Sequence, residues 1–374
     1  MSDNRRDFIK KGAALAAALS VGGGGIAEAS SLIAEDTEKW GNVKGKMSQI
    51  KIAGQITPEP TPETFAFYNQ MGINQAVLWT DAKKSSGEYY GSRKKLFADN
   101  GINVYGFGNN DVHNQDKLVL NLPGRDEKIE EYKAHLRSLG KAGIGYTTYA
   151  HMGNGIWHSE VRGKARGGAD ARDFNVNAPH YGKWGDNVYH EPLSHGRRYT
   201  RDEVWANFKY FIQAVVRTAE ENNVHIGIHP DDPPIPEMAG VPRLFTSFEG
   251  YKRALDLANN SPAVGLCLCV GSWMEGGDKL GKDAVGMIDY FGSRERIYKI
   301  HFRNIYAPLP HFIESFVDDG YTDMYTIMQA LKRNNFKGVI IPDHIPKMDG
   351  GPNVGTAYSI GYMKALLNRV NAEV

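Results

Sequence analysis

Four side chains that often bind metal ions lie at the ends of four predicted strands. They are His229 in GIHPDDPP, Cys269 in GLCLCVGS, His301 in KIHFRN and Asp343 in IIPDHIP. A barrel of parallel strands gathers its strand ends on one rim, so residues distant in sequence can meet around one ion. Two imidazoles, a thiol and a carboxylate suit Mn²⁺, Fe²⁺, Co²⁺ or Zn²⁺ better than Mg²⁺. The pattern predicts a metalloenzyme.

Other polar residues near these strand ends are candidates for holding a substrate. Arg243 and Arg303 are candidates for gripping a substrate carboxylate in a forked geometry, with a surface ion pair as the alternative. Asp231 and Asp232 follow His229 after one proline. We expect one of them to orient that imidazole or a substrate hydroxyl, with helix capping as the alternative, and Asp231 is the candidate for substrate contact.

The elements that must position these residues alternate along the chain between short β-rich runs and amphipathic segments. Strands are predicted at residues 50–56, 75–79, 104–107, 145–149, 225–229, 265–269, 298–302 and 339–342. The clearest helices are predicted at residues 128–141, 201–222, 248–259, 323–334 and 360–370. Eight such units predict an α/β fold, a (β/α)8 TIM barrel.

Several predicted helices end in residues that tolerate a left-handed backbone. These stops are Gly72, Gly101, Gly143, Asn223 and Asn335. One connection breaks the rhythm, a long loop after the fourth strand at residues 151–199. We expect it on the catalytic rim as a lid, a substrate wall or an oligomer contact, and a homo-oligomer stays possible.

Composition restricts the partners and the class of protein. The chain has 374 residues, with 44 basic against 43 acidic side chains. Such balance gives no field that favours nucleic acid, so a small-molecule substrate fits best. The two cysteines, Cys267 and Cys269, are separated by one strand residue, which favours metal ligation or plain burial over a disulfide.

The first residues have the pattern of an export signal. Asn4-Arg5-Arg6-Asp7 is a twin-arginine pattern, followed by a short apolar stretch and small residues ending at Ala29. We predict a signal peptide at 1–29, a linker at 30–47 and the barrel domain at 48–374, with an amphipathic N-terminus as the alternative to the signal. The mature protein would be periplasmic, without a membrane anchor.

Five short motifs connect the chain to a known family. HPDDPP followed by GVPR, then CVGS, HFRN and PDH, resemble the mannonate dehydratases, metal-dependent barrels of the xylose isomerase-like superfamily. The resemblance implies that the four strand-end residues bind Mn²⁺ or a similar ion such as Fe²⁺ or Co²⁺. It also implies that His344 and Tyr358 lie beside Asp343 in the positions of the catalytic acid and base. The implied reaction is loss of water from D-mannonate, giving 2-keto-3-deoxy-D-gluconate.

Two departures from the family pattern widen the expected function. The family's Asp-His pair is followed by glycine and a cationic residue, whereas this chain has Ile345 and Pro346 before Lys347, which could replace a substrate contact. The predicted export signal is the second departure. Both suggest a divergent member acting on a related sugar acid or oxidised sugar. The alternatives are a sugar isomerase or epimerase, an eliminase acting on a keto sugar or uronate derivative, and a carbohydrate-binding protein without catalysis.

Overall fold

Eight parallel strands carry the fold, and all eight strand predictions are confirmed. The computed structural model describes residues 48–373, so the predicted signal peptide and linker lie outside the described residues. The described residues up to 370 form one compact unit. The strands are β1 (Lys51–Ile52 and Gly54–Ile56), β2 (Gln75–Thr80), β3 (Asn103–Asn109), β4 (Tyr146–Tyr149), β5 (His225–Ile228), β6 (Val264–Cys269), β7 (Ile297–Phe302) and β8 (Val339–Pro342).

The strand order is that of an eight-stranded barrel. The first part of β1 pairs with β8, followed by β7, β6, β5 and β4, while its second part pairs with β2 and then β3. The ladder is interrupted between β3 and β4. These strands still lie close together, because a Cβ atom at Gly106 would come within 2.7 Å of the Tyr146 carbonyl oxygen. The carboxyl ends of all eight strands therefore share one rim.

Helices alternate with the strands as predicted. They are α1 (Pro62–Gln70), α2 (Gly87–Asp99), α3 (Asp116–Leu120), α4 (Arg125–Lys141), α5 (Arg201–Glu221), α6 (Phe248–Leu257), α7 (Val270–Gly276), α8 (Ala284–Met287), α9 (Met324–Arg333) and α10 (Val354–Ala372). All five predicted stops have positive φ, between 52° and 77°. Among residues 48–373 none of the helices combines the length and apolarity needed to cross a bilayer.

The long connection after β4 contains secondary structure that the sequence did not predict. Its antiparallel strands Ile156–Ser159, His180–Trp184 and Asn187–Tyr189 form one small sheet. A further strand, Asp173–Asn175, pairs with His311–Ser315 from the segment after β7. The insertion is thus attached to the rim where β7 ends.

Two apolar layers fix the strands. The larger layer lies between the sheet and its helices, where the residues of one strand face are fully buried. A smaller cluster of Ala53, Val77, Val339 and Ile341 fills the barrel interior. Alternate residues of each strand point to opposite faces, so the same strands supply both layers and end in polar side chains at the rim.

Candidate metal centre

Three of the four predicted ligands converge on one point. His229 follows β5, Cys269 is the last residue of β6, and His301 lies near the end of β7. One ligand atom from each lies within 4.8 Å of the other two, and all three residues are buried. Neighbouring parallel strands that end together bring these side chains to one rim position. We call His229, Cys269 and His301 the metal triad.

Asp343 lies directly beside this triad. It follows β8, and its Oδ2 atom is 3.2 Å from His301 Nδ1. That imidazole nitrogen is buried and has no hydrogen-bond partner among the described residues, so the contact lacks hydrogen-bond geometry. His229 donates from Nδ1 to the Pro230 carbonyl oxygen at 2.7 Å, which leaves Nε2 free as a ligand. The donor set therefore fits a divalent ion.

Electrostatics favour the ligand forms of the thiol and the carboxylate. Burial alone would raise the pKa of Cys269, but Arg303 and the two imidazoles lower it well below its usual value. The Cys269 thiol also accepts from Ser272 N at 3.5 Å in the first turn of α7. Burial would likewise raise the pKa of Asp343, but His301 lowers it well below its usual value. Both side chains are prepared as anions.

The triad opens into a cavity of about 280 Å³. His229, His301, Asp343 and His344 line one side of it together with Asp232. The cavity is also lined by the ends of other strands and the loops after them: Gln55, Trp79, Asn110, His113 and Thr148. The insertion adds Met152, Ile156 and Trp184. Of the three roles considered for the insertion, these contacts support a substrate wall.

The two predicted substrate arginines do not line this cavity. Arg243 is fully buried and donates to Asn154 Oδ1 and to the Gly155 carbonyl oxygen, both at 2.9 Å. Arg303 is also buried, and carboxylates from other elements already surround its guanidinium. Both guanidinium groups bind other parts of the chain and do not face the cavity. Lys347 also lies elsewhere, with its backbone N–H bonded to the Asp170 carbonyl oxygen.

The two adjacent aspartates have different surroundings. Asp231 accepts from Phe245 N at 2.6 Å and lies 3.7 Å from Arg243. Burial raises its pKa to about 6. Asp232 lines the cavity, and although burial opposes ionisation, Arg172 and Arg303 lower its pKa far below the usual value. The sequence singled out Asp231 for substrate contact, whereas Asp232 has the position for it.

A buried network of charges supports the rim behind the cavity. Arg172, from the insertion, contacts Asp232, Glu275 and Glu314, and Arg303 contacts the same three carboxyl groups. All five side chains are at most 5% exposed. Burial and the nearby Asp232 raise the pKa of Glu275 well above its usual value, so two arginines face two ionised carboxylates. Such a set is stable only because each charge has partners.

His344 joins this network to the cavity. Its Nδ1 atom lies 2.7 Å from Glu314 Oε1 and 2.6 Å from Arg303 Nη1. Nδ1 cannot donate to Arg303, because a guanidinium is itself only a donor. We therefore assign the Nδ1 proton to the hydrogen bond with Glu314 Oε1, and this oxygen also accepts from Arg303 at 2.9 Å. Burial would lower the pKa of His344, but Glu314 and Asp343 raise it. With Nδ1 engaged, Nε2 is the nitrogen left for a substrate.

Tyr358, the other residue implied as acid or base, does not line the cavity. It is 37% exposed, and its hydroxyl donates to Asp318 at 2.6 Å and accepts from Arg166 at 3.2 Å. The hydrogen bond to Asp318 raises the pKa of Tyr358, and burial raises it further by a smaller amount. In this arrangement the phenol belongs to a surface cluster.

Sequence reasoning missed Arg172, Glu275 and Glu314 of the network and the aromatic residues of the cavity. Trp79 had a usable signal, since it lies where a predicted strand ends. Arg172, Glu314 and Trp184 had none, because they lie in connections between the barrel strands whose path depends on the completed fold.

Comparison with known proteins gives a consistent result. A family model described as D-mannonate dehydratase (UxuA) matches residues 187–372. A mannonate dehydratase of Oceanobacillus iheyensis is 32% identical over 253 residues, covering 61% of this chain and 69% of the relative. The mannonate dehydratase of Streptococcus equi subsp. zooepidemicus is 33% identical over 265 residues, covering 65% and 70%.

Solved structures show the same fold. The crystal structure of mannonate dehydratase from Streptococcus suis serotype 2 superposes with a TM-score of 0.74 at 24% identity, covering 86% of this chain and 95% of that chain. A xylose isomerase domain protein from Planctomyces limnophilus superposes with a TM-score of 0.55 at 9% identity, covering 87% of this chain and 99% of that one.

Proposed function

This chain belongs to the mannonate dehydratase family, and we propose that it is a hydro-lyase that converts D-mannonate into 2-keto-3-deoxy-D-gluconate. The observation that carries the proposal is the metal triad with Asp343 beside it, open to a cavity that also contains His344. This supports the proposal, because residues that could bind a metal ion and a candidate proton-transfer group border one cavity.

We propose Mn²⁺ as the ion, with Fe²⁺ or Co²⁺ as alternatives. His229, Cys269, His301 and Asp343 would hold it, because a mixed set of nitrogen, sulfur and oxygen donors suits these metals. A bound divalent ion supplies the positive charge that makes the C2 proton beside a carboxylate acidic enough to remove.

The chain's own residues must move protons at two carbons. Loss of water removes a proton from C2 and requires a proton for the departing C3 hydroxyl. His344 is placed for such transfer, since Glu314 fixes its Nδ1 atom and the ring lines the cavity. Arg303 and Asp232 hold this arrangement from behind. Tyr358 does not line this cavity, and its hydroxyl is bonded to Asp318.

The direct test is product analysis. Metal-loaded protein incubated with D-mannonate should form a 2-keto-3-deoxy acid, and His344→Asn should lower kcat while leaving the metal content unchanged. If the folded, metal-bound protein forms no such product, the assignment to D-mannonate is wrong.

One observation favours a second candidate, elimination or isomerisation of an uncharged keto sugar. Among the described residues that line the cavity there is no lysine or arginine to meet a carboxylate. Parallel incubations with keto sugars separate the candidates, because elimination leaves a deoxy carbon and isomerisation does not.

We also propose that the protein is exported to the periplasm by the twin-arginine pathway. The support is the pattern around Arg5 and Arg6 and the small residues ending at Ala29. Replacing both arginines with lysine should retain the protein in the cytoplasm in cell fractionation. Unchanged periplasmic recovery would argue against this route.

A further inference from the structure

Three aromatic rings form a continuous surface in the cavity that His344 also lines. The rings of Trp79 and His113 have centroids 5.0 Å apart and are perpendicular. His113 and Trp184 have centroids 4.8 Å apart with an interplanar angle of 36°. All three residues line the same cavity as His229 and His301 of the metal triad. We call Trp79, His113 and Trp184 the aromatic wall.

The wall is anchored to the barrel. Trp79, near the end of β2, lies over Gly108 of β3, where a Cβ atom would come within 2.5 Å of the indole ring. Trp184 donates from Nε1 to the Asn110 carbonyl oxygen at 3.1 Å. Neighbouring strands and the insertion therefore hold the rings in place before any substrate arrives, which lowers the entropic cost of binding.

His113 gives this wall one defined hydrogen-bond acceptor. Its Nδ1 atom lies 3.3 Å from the Thr148 carbonyl oxygen. A carbonyl only accepts, so Nδ1 carries the proton and Nε2 has a free lone pair. Burial, reinforced by the neighbouring His229, lowers the pKa of His113 to about 3, so the ring stays neutral near pH 7. Within residues 48–373 no group is hydrogen-bonded to Nε2.

The aromatic wall, with apolar ring faces and a single hydrogen-bond acceptor, suits the hydroxylated end of a sugar acid better than its carboxylate end. A carboxylate would be repelled by a lone pair, and no cation lines this side of the cavity among the described residues. A chain of C–H and O–H groups, by contrast, can cover the rings and donate to His113. The carboxylate and the reacting carbons then face the metal triad.

We propose that the aromatic wall is the specificity subsite for the hydroxylated carbons remote from the carboxylate, with His113 Nε2 accepting from one of their hydroxyls. The proposal rests on the proposed function, because it assumes a sugar-acid substrate. It extends that function, since the wall lies entirely before residue 187, where the family match begins.

The experiment compares two acids that differ only at the remote end. D-lyxonate has the configuration of D-mannonate at C2, C3 and C4 but ends at C5. For wild-type, His113→Asn and Trp184→Leu proteins loaded with Mn²⁺, we would measure kcat/KM by product formation and binding by calorimetry. His225→Asn, an exposed histidine on the opposite rim, is the matched control.

We expect His113→Asn to lower kcat/KM and affinity for D-mannonate about 10-fold, the value of one hydrogen bond. For D-lyxonate both constants should change less than about 3-fold. The ratio of kcat/KM for D-mannonate to that for D-lyxonate should therefore fall. Trp184→Leu should act in the same direction, and His225→Asn should change neither constant. Metal content measured by mass spectrometry should be the same in all four proteins.

The outcomes separate this proposal from the proposed function. If wild-type protein converts D-mannonate but the variants lose both acids equally, or lose neither, the subsite is refuted while the function stands. If D-mannonate binds in a manner sensitive to His113 but is not converted, the function is refuted and the subsite is supported. If wild-type protein binds neither acid, both are refuted.

Discussion

Replacement of each cysteine with serine tests the metal centre most sharply. Cys269 and Cys267 lie on the same strand, two residues apart, and both are fully buried. Only Cys269 belongs to the metal triad, although Cys267 Sγ lies 3.4 Å from His301 Nε2. Each replacement buries a hydroxyl where a thiol was, at a shared cost of roughly 1–3 kcal/mol in unfolding free energy. The pair therefore isolates ligation from stability.

We expect Cys269→Ser to weaken metal binding at least 10-fold to 100-fold, by analogy with losses measured at other metal sites. This corresponds to roughly 1.4–2.7 kcal/mol of binding free energy. Cys267→Ser should stay within about 3-fold of wild type. Competition with a chromogenic chelator measures the metal affinity of each protein. Thermal unfolding of the metal-free proteins measures the loss of stability that both replacements share. Equal losses of affinity in the two variants, or a larger loss in Cys267→Ser, would refute the proposed ligand set.

Three further predictions concern the rim and the core. Glu314→Gln removes a charge shared by buried arginines, so the unfolding free energy in urea should fall by roughly 3–5 kcal/mol, and an unchanged midpoint would contradict the network. Gly271→Ala would place a Cβ atom against the Arg303 guanidinium, so kcat should fall together with stability, and wild-type kcat would show that the guanidinium position is unimportant. Burial lowers the pKa of His135 to about 3, so the unfolded chain binds the extra proton below about pH 6.5 and stability falls on acidification by about 1.4 kcal/mol per unit. His135→Gln should remove that slope between pH 6 and 4 in denaturation curves, and an unchanged slope would assign it to other groups.

The barrel was predictable because its signals are local. Each strand is a short apolar run, and each predicted stop, such as Gly101 or Asn223, has the backbone geometry its residue type favours. The metal triad was predictable for the same reason, since parallel strand ends share a rim whatever the connections do. Asp343 also lies where this reasoning placed it, beside His301.

The surroundings of the triad were not predictable, because they depend on connections between strands. Arg303 was expected at a substrate carboxylate, yet the segment after β7 turns back and brings Glu314 to it. Arg172 reaches the same network from the insertion. No periodicity encodes such paths, and a charged side chain in sequence does not reveal whether its partner is a substrate or another part of the protein.

The proposed metal ligands and the aromatic wall come from different halves of the chain. The four proposed metal ligands lie at the ends of β5 to β8, whereas the aromatic wall comes from β2, the segment after β3 and the insertion. From the proposed subsite we expect that mutations in the first half change which sugar is accepted and leave the proposed metal ligands and His344 in place. A chimera that joins residues from β5 onward to the opening strands of a relative would inherit the reactivity of one parent and the selectivity of the other.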